Sequence, residues 1–198
     1  MPAMRILKKS LITLAILILV AVILGVVAIR YVKPTETLNL NYSTVPLEDR
    51  AVSMAKKLST TLKLSEADVN NIGKAFIAAN PQYGPNVTIT GARFQFEDGR
   101  VAGHYNLLVL DRVPVGVVVY YRIKWRNPNL VAEVDEAKLR GRKLPNKYFD
   151  DIVIPLGDSI PKPLQIENAE LSGEQLIVKI KKPTLSELTQ LLRQELGL

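Results

Sequence analysis

Residues 11–29, LITLAILILVAVILGVVAI, form a run of nineteen residues without a charge. At about 1.5 Å per residue a helix of that length spans roughly 28 Å, close to the ~30 Å hydrocarbon thickness of a bilayer. The run is apolar on every side, whereas a helix packed on a small soluble core keeps a polar face for water. It predicts a transmembrane anchor at 11–29. Arg5, Lys8 and Lys9 precede it together with the amino terminus, and Arg30 and Lys33 follow. That small positive excess in front predicts a cytoplasmic segment 1–10 and an extracytoplasmic C-terminal part. The rival reading is a cleaved signal peptide, whose apolar region is about 7–15 residues and ends in a small-residue site of the A-x-A kind. Val26-Val27-Ala28 matches that site poorly, so the uncleaved anchor is preferred.

The chain has no cysteine, which excludes lipoprotein processing, disulfides and thiolate metal sites. Beyond residue 29 remain 169 residues, enough for one domain with a real core. They carry 23 Lys and Arg against 19 Asp and Glu, a net charge of +4. A mild basic balance suits a domain beside an anionic membrane or an anionic envelope polymer and is too weak to argue for nucleic acid.

Residues 30–46 read as an extended stalk, and 47–198 as the extracytoplasmic domain. Leu47, Ala51, Met54, Leu58 and Leu62 fall on one helical stripe. A second helix is expected from Ser65, paired with Asp68 three residues on, through Val69, Ile72 and Phe76 to the stop at Asn80-Pro81. Strands follow. Asp98-Gly99 is a two-residue turn between VTITGARFQFE and RVAGHYNLLVL, so Glu97 faces Arg100. Counting outward pairs Gln95 with Ala102, Arg93 with His104, Gly91 with Asn106, Ile89 with Leu108 and Val87 with Leu110. Phe94, Phe96, Val101, Tyr105, Leu107 and Val109 then share a core face, while the apolar far end of the other face needs a cover. VGVVVYYRIKWR, residues 115–126, is apolar on both faces in its first half and reads as a central strand. A strand from Leu130 to about Arg140 changes its apolar parity near Asp135, which suggests a bulge there. Two more strands, near 163–171 and 175–182, bring the expected number to six. A capping box at Thr184–Glu187 opens a C-terminal helix with Leu185, Leu188, Leu192 and Leu196 on one ridge. The predicted fold class is α+β, a curved and mostly antiparallel sheet packed against amphipathic helices.

Chemistry is sparse. The sequence has no G-x-S-x-G, no H-E-x-x-H, no P-loop and no Rossmann glycine pattern. His104 is the only histidine, and the hairpin register puts it opposite Arg93 on the polar face, where it should be solvent-exposed. Asp150-Asp151 and Glu133 with Asp135 are carboxylate pairs that could bind a cation or do acid–base work, but a solvated helix start and a strand edge explain them more simply. No catalytic residue, metal or cofactor is therefore assigned. Two features instead predict a binding role. The two-faced apolar strand suggests a groove lined by Leu108, Val117, Val119 and Tyr121, able to take a lipid or other amphipathic ligand. Arg122, Lys124, Arg126, Arg140 and Arg142 suggest a basic rim near Trp125 and Tyr148 for anionic headgroups or polymer. An ordinary solvated surface is the simpler account of those charges. Against the binding module stands a scaffold with a solid core that contacts envelope proteins, and a lipid hydrolase using His104 with Asp150 or Asp151 is the third reading.

The order of anchor, stalk and helix pair, followed by VTITGARFQFEDGRV, VPVGVVVYY and AKLRGRKLP leading into a short helix, resembles the YpmS-like family of membrane-anchored proteins of Gram-positive bacteria. The likeness spans about residues 5–156 and fades beyond Pro161. It implies a place in a bacterial cell membrane and this fold, and brings no catalytic motif. A sheet wrapped around helices is also similar, at the level of fold alone, to tubular lipid-binding envelope domains.

Overall fold

The computed structural model describes residues 2–57, 59–160, 164–182, 184, 186 and 187. Among these the chain is α+β. It begins with an apolar helix, α1 (Pro2–Val32), which contains a stretch, Thr13–Val32, long and apolar enough to span a membrane and not buried against the rest of the chain. The helix thus runs three residues past the expected boundary at 29, so Arg30 and Tyr31 belong to its last turn.

Two further helices, α2 (Leu47–Lys56) and α3 (Glu66–Ala79), flank the short strand β1 (Thr61–Ser65). Here the sequence expectation is corrected. Leu62 lies on the strand, and helix α2 has already ended. Leu58 lies outside the described residues. The α3 start is as expected: Ser65 caps Asp68 N–H and the Asp68 carboxylate accepts from Ser65 N–H. Arg50 of α2 donates to the same carboxylate at 2.9 Å and, with the Ser65 bonds, holds it below the usual carboxylate range.

Strands β2 (Val87–Glu97), β3 (Arg100–Val109), β4 (Val113–Arg126), β5 (Asn129–Leu139) and β6 (Arg142–Leu144) form an antiparallel meander. β7 (Ile152–Ile154) also pairs with β5, beyond β6. β8 (Ile166–Ser172) and β9 (Gln175–Ile180) do not join this sheet. With β1 they make a separate three-stranded sheet of order β1-β9-β8, so the described residues hold nine strands in two sheets where six were expected. The Asp98-Gly99 turn sets Glu97 against Arg100 and every pair as far as Gly91 and Asn106 as expected. There the register slips at Thr90, giving Ile89–Leu107 and Val87–Val109 in place of Ile89–Leu108 and Val87–Leu110. The bulge at Asp135 is present, between the Tyr120–Glu136 and Tyr121–Val134 pairs.

One core lies between the large sheet and α3, around Val119, Phe94, Tyr105 and Ala137. The other lies between the small sheet and α2, around Leu64, Val178 and Ile180. Val69, Phe96 and Ile123 pack against both. α3 approaches β2 closely because Gly73 leaves room for the Phe94 ring: a Cβ there would stand 2.5 Å from it.

The β2 edge of the large sheet and the gap on β5 between β6 and β7 are closed. On β2, Ala92 N–H donates to Asn39 O, Phe94 N–H to Asn70 Oδ1 and Phe96 N–H to Glu66 Oε2. On β5, between β6 and β7, Val134 N–H donates to Asp151 Oδ1 and Asn146 Nδ2 donates to Asp135 O. Every second edge amide of β2 is thus paired by a helix or loop, which removes a template for intermolecular strand pairing.

The stalk departs most from expectation. Residues 33–40 form a strap laid across the outer face of the sheet. Gly91, Asn106 and Gly116 stand in one register row across β2, β3 and β4. The missing side chains make that row a track. A Cβ on Gly116 would stand 2.8 Å from Pro34 Cα, and one on Gly91 2.3 Å from the Leu38 carbonyl. Between them Asn106, the one buried polar residue among those described, donates to Glu36 O at 2.9 Å. Arg93 pairs with the Glu36 carboxylate, and Ser43 N–H reaches Asn71 of α3. The strap crosses that face at its middle row and does not cover the apolar far end expected there: the Thr90 bulge turns Ile89 to the other face, and Leu110 is exposed at the turn. At the chain end, the Thr184–Glu187 capping bonds are present, whereas Leu185, Leu188, Leu192 and Leu196 lie outside the described residues.

Candidate functional site

On the inner face of the large sheet, beneath the C-terminal half of α3, lies a cavity of about 510 Å³. Its floor is sheet: Ile89, Tyr105, Leu107, Val117, Val119 and Tyr121, side chains that alternate along three strands. Phe76, Ile77 and Ala79 of α3 form one wall, and Phe149 to Val153 another. Beside it lies an almost wholly apolar void of about 60 Å³, which shares Phe76, Ile77, Tyr121 and Ile152 with the larger one. The cavity falls in the ~300–1,000 Å³ range of small-molecule sites and has the apolar lining with few polar groups common to them.

Two groups of polar atoms face it. The Tyr105 and Tyr121 hydroxyls hydrogen-bond each other at 2.9 Å in the floor. Burial pushes both phenols far above their ordinary ionisation range, so they remain neutral. Gly103 makes their arrangement fit, since a Cβ there would lie 2.7 Å from the Tyr105 hydroxyl, and Tyr105 meets Phe94 edge-on at 5.8 Å. On the opposite side stand Asn80, Gln82, Tyr83, Asp150 and Asp151. Tyr83 Oη accepts from Asp150 N–H at 2.9 Å and lies 3.2 Å from both Tyr148 O and Asp150 Oδ2. Burial raises the ionisation of this phenol as well.

Of the four groove residues expected from sequence, Val117, Val119 and Tyr121 line the cavity together. Leu108 does not. On β3 it alternates with the inward Tyr105 and Leu107, so it stands on the outer face, in register with Thr88 and Pro114. The basic rim is likewise not at the cavity. Arg122, Lys124 and Arg126 alternate with the inward Tyr121, Ile123 and Trp125, so they lie on the outer face. There they pair with β5 acids, Arg122 with Asp135 and both Lys124 and Arg126 with Glu133. Arg140 stands at the β5–β6 turn, donates to Lys33 O and sits over the Tyr31 ring, 5.9 Å from its centre. Arg142, the first residue of β6, is exposed just after that turn.

His104 is not solvent-exposed as expected. It lies half-buried under the strap, with Nε2 unpartnered and Glu36 and Glu97 carboxylates at 3.9 and 3.8 Å. Burial, aided by Arg93, lowers its ionisation against the pull of those acids. Its position on the outer face separates it from Asp150 and Asp151 on the inner one, so the pair invoked for hydrolysis is not assembled. Asp151 is neither a solvated helix start nor a free acid, since it closes the β5 edge. Among the described residues no group of three His, Asp or Glu is placed to hold a metal.

Sequence reasoning missed the walls of the cavity, Ile77 and Phe149 to Val153. The periodicity of α3 placed Ile72 and Phe76 inward, whereas the buried residue is Ile77, about 100° further round the helix, and Phe76 is 44% exposed. The 149–153 segment offered no signal, being a three-residue strand behind a 3-10 turn. Compared with known protein families, curated proteins and solved structures, the chain matches none. The likeness to the YpmS-like family therefore rests on the sequence pattern alone.

Proposed function

We propose that this is a single-pass bacterial membrane protein with an extracytoplasmic, non-enzymatic domain that holds a lipid or another amphipathic ligand in the cavity between sheet and α3. One observation carries the reading: a volume of about 510 Å³, lined by aliphatic and aromatic side chains, in a domain joined directly to an apolar helix. A scaffold with a solid core would fill that space. The sheet is read as curved about the cavity. The acyl part of the ligand lies along Val117, Val119 and Leu107. Its polar end meets Asn80, Gln82, Tyr83 and Asp150, a set that favours hydroxyl, amide or ammonium groups over phosphate. The basic residues expected to receive an anionic headgroup belong to the other face.

Photo-crosslinking the full-length protein in bacterial membranes with a diazirine-bearing fatty acid tests this. Labelled peptides containing residues 117–121 and 149–153 are expected in addition to those from α1. Val119→Trp removes the former and leaves the α1 label as internal control, with Trp125-region folding checked by thermal unfolding. Labelling confined to α1 in the parent protein would overturn the binding reading in favour of the scaffold.

A further inference from the structure

We propose that one end of the large sheet, the end carrying the β3–β4 and β5–β6 turns, lies flat against the headgroup layer of an anionic bilayer. The inference rests on α1 being a membrane anchor. In a meander, alternate turns share an end: residues 110–112 and 140–141 are at one, Asp98-Gly99 and Asn127-Pro128 at the other. The end of α1 is fastened to the first of these. Only Lys33 separates Val32, the last residue of α1, from Pro34 in the Gly116 contact, and Arg140 at the β5–β6 turn sits over the ring of Tyr31. Tyr31 closes the apolar span, where aromatic rings settle at the membrane–water interface. The turns at this end are therefore held at headgroup height.

Their chemistry fits that place. Leu110 is 60% exposed at the tip of the β3–β4 turn, in a left-handed backbone (φ 53°) that a leucine adopts at a cost. Around it Lys33, Arg112, Arg140, Arg142 and Lys143 are exposed, against one acid in the turns, Asp111. Among the described residues Arg112 and Arg142 form no ion pair, in contrast to the paired charges of the outer face. Lys143 pairs with Glu136 at 2.8 Å and Arg140 is held by Lys33 O and the Tyr31 ring, which leaves an apolar tip beside two unpaired arginines, the pattern of a surface that inserts shallowly into anionic lipid.

The absence of cysteine allows single labels on the full chain. Leu110→Cys, Asp98→Cys and Leu17→Cys, each carrying a bimane, would be reconstituted in vesicles of phosphatidylcholine and phosphatidylglycerol in about equal parts. Asp98 is a matched control, being a turn residue with the same left-handed backbone at the far end of the sheet. The expected result is quenching at 110 by a nitroxide-bearing lipid and at 98 by aqueous iodide. Arg140→Glu with Arg142→Glu should shift 110 toward iodide, each lost cation lowering apposition about fivefold. Equal iodide quenching at 110 and 98 overturns the proposal. So does shielding of 110 from both quenchers, which would mean that a second copy covers the tip. Position 17 separates the two readings: lipid quenching there with none at 110 refutes only the docked face, and none at 17 refutes the anchor.

Discussion

Gly91→Ala tests the strap. The added Cβ would stand 2.3 Å from the carbonyl carbon and oxygen of Leu38 and 2.8 Å from Asn39 N, all backbone, so no rotamer relieves the clash. The strap must lift. Lifting breaks the Asn106 to Glu36 O and Ala92 to Asn39 O hydrogen bonds. Two such bonds are worth about 2 kcal/mol together, and the Asn106 amide left buried without a partner adds about 1–2 kcal/mol. The Arg93–Glu36 pair is half-exposed and adds little. The expected loss is thus about 3–4 kcal/mol, which for a domain of this size lowers Tm by roughly 6–16 °C. Unfolding of the full chain in detergent can be followed through Trp125, the only tryptophan. Cleavage after Glu36 by a glutamate-specific protease should appear in the variant and not in the parent. Gly25→Ala, with nothing within 4 Å, is the control. A Tm within a degree or two of the parent and a protected Glu36 would show that no strap occupies the track.

Asp151→Ala should cost about 1–2 kcal/mol by freeing Val134 N–H at the β5 edge, read by urea unfolding. Replacing both Glu66 and Asn70 by Ala uncovers the Phe96 and Phe94 amides, and should lower stability by about 2–4 kcal/mol while promoting self-association seen by light scattering. Because the folded ionisation of His104 lies below that of the unfolded chain, acid favours the unfolded state: Tm should fall as the pH drops below about 6.5, and His104→Gln should flatten that slope. Asp68 works at lower pH in the same direction. Its lowered ionisation stabilises the fold above the ordinary carboxylate range and the gain is lost in stronger acid, a loss that Arg50→Ala should reduce in unfolding titrations.

Where one local rule decides the geometry, the sequence is readable. Asp98-Gly99 admits a two-residue turn, and register follows by counting; at Asp135 the apolar positions change from even to odd, which only an extra residue allows. Where two periods fit the same residues, it is not. Leu58 and Leu62 continue a helical stripe, but Leu62 and Leu64 alternate, and pairing with β9 selects the strand. The β8–β9 pair could not be assigned to a sheet, because its partner β1 lies a hundred residues earlier. The strap left a mark that periodicity does not register: glycines inside strands at 91 and 116 signal another backbone at close range. The cavity was half legible. Its floor follows from alternation, and its walls come from segments whose placement is set by side chains closing the β5 edge.

A free chain of fourteen residues, such as 33–46 would be without its track, lets a domain wander over roughly 20 Å about its tether. The row of Gly91, Asn106 and Gly116 abolishes that freedom. The domain is consequently coupled to its apolar helix: were α1 to cross a bilayer, as proposed above, its rotation or tilt would be carried to the sheet as by a crank, and the cavity would be held at one fixed height.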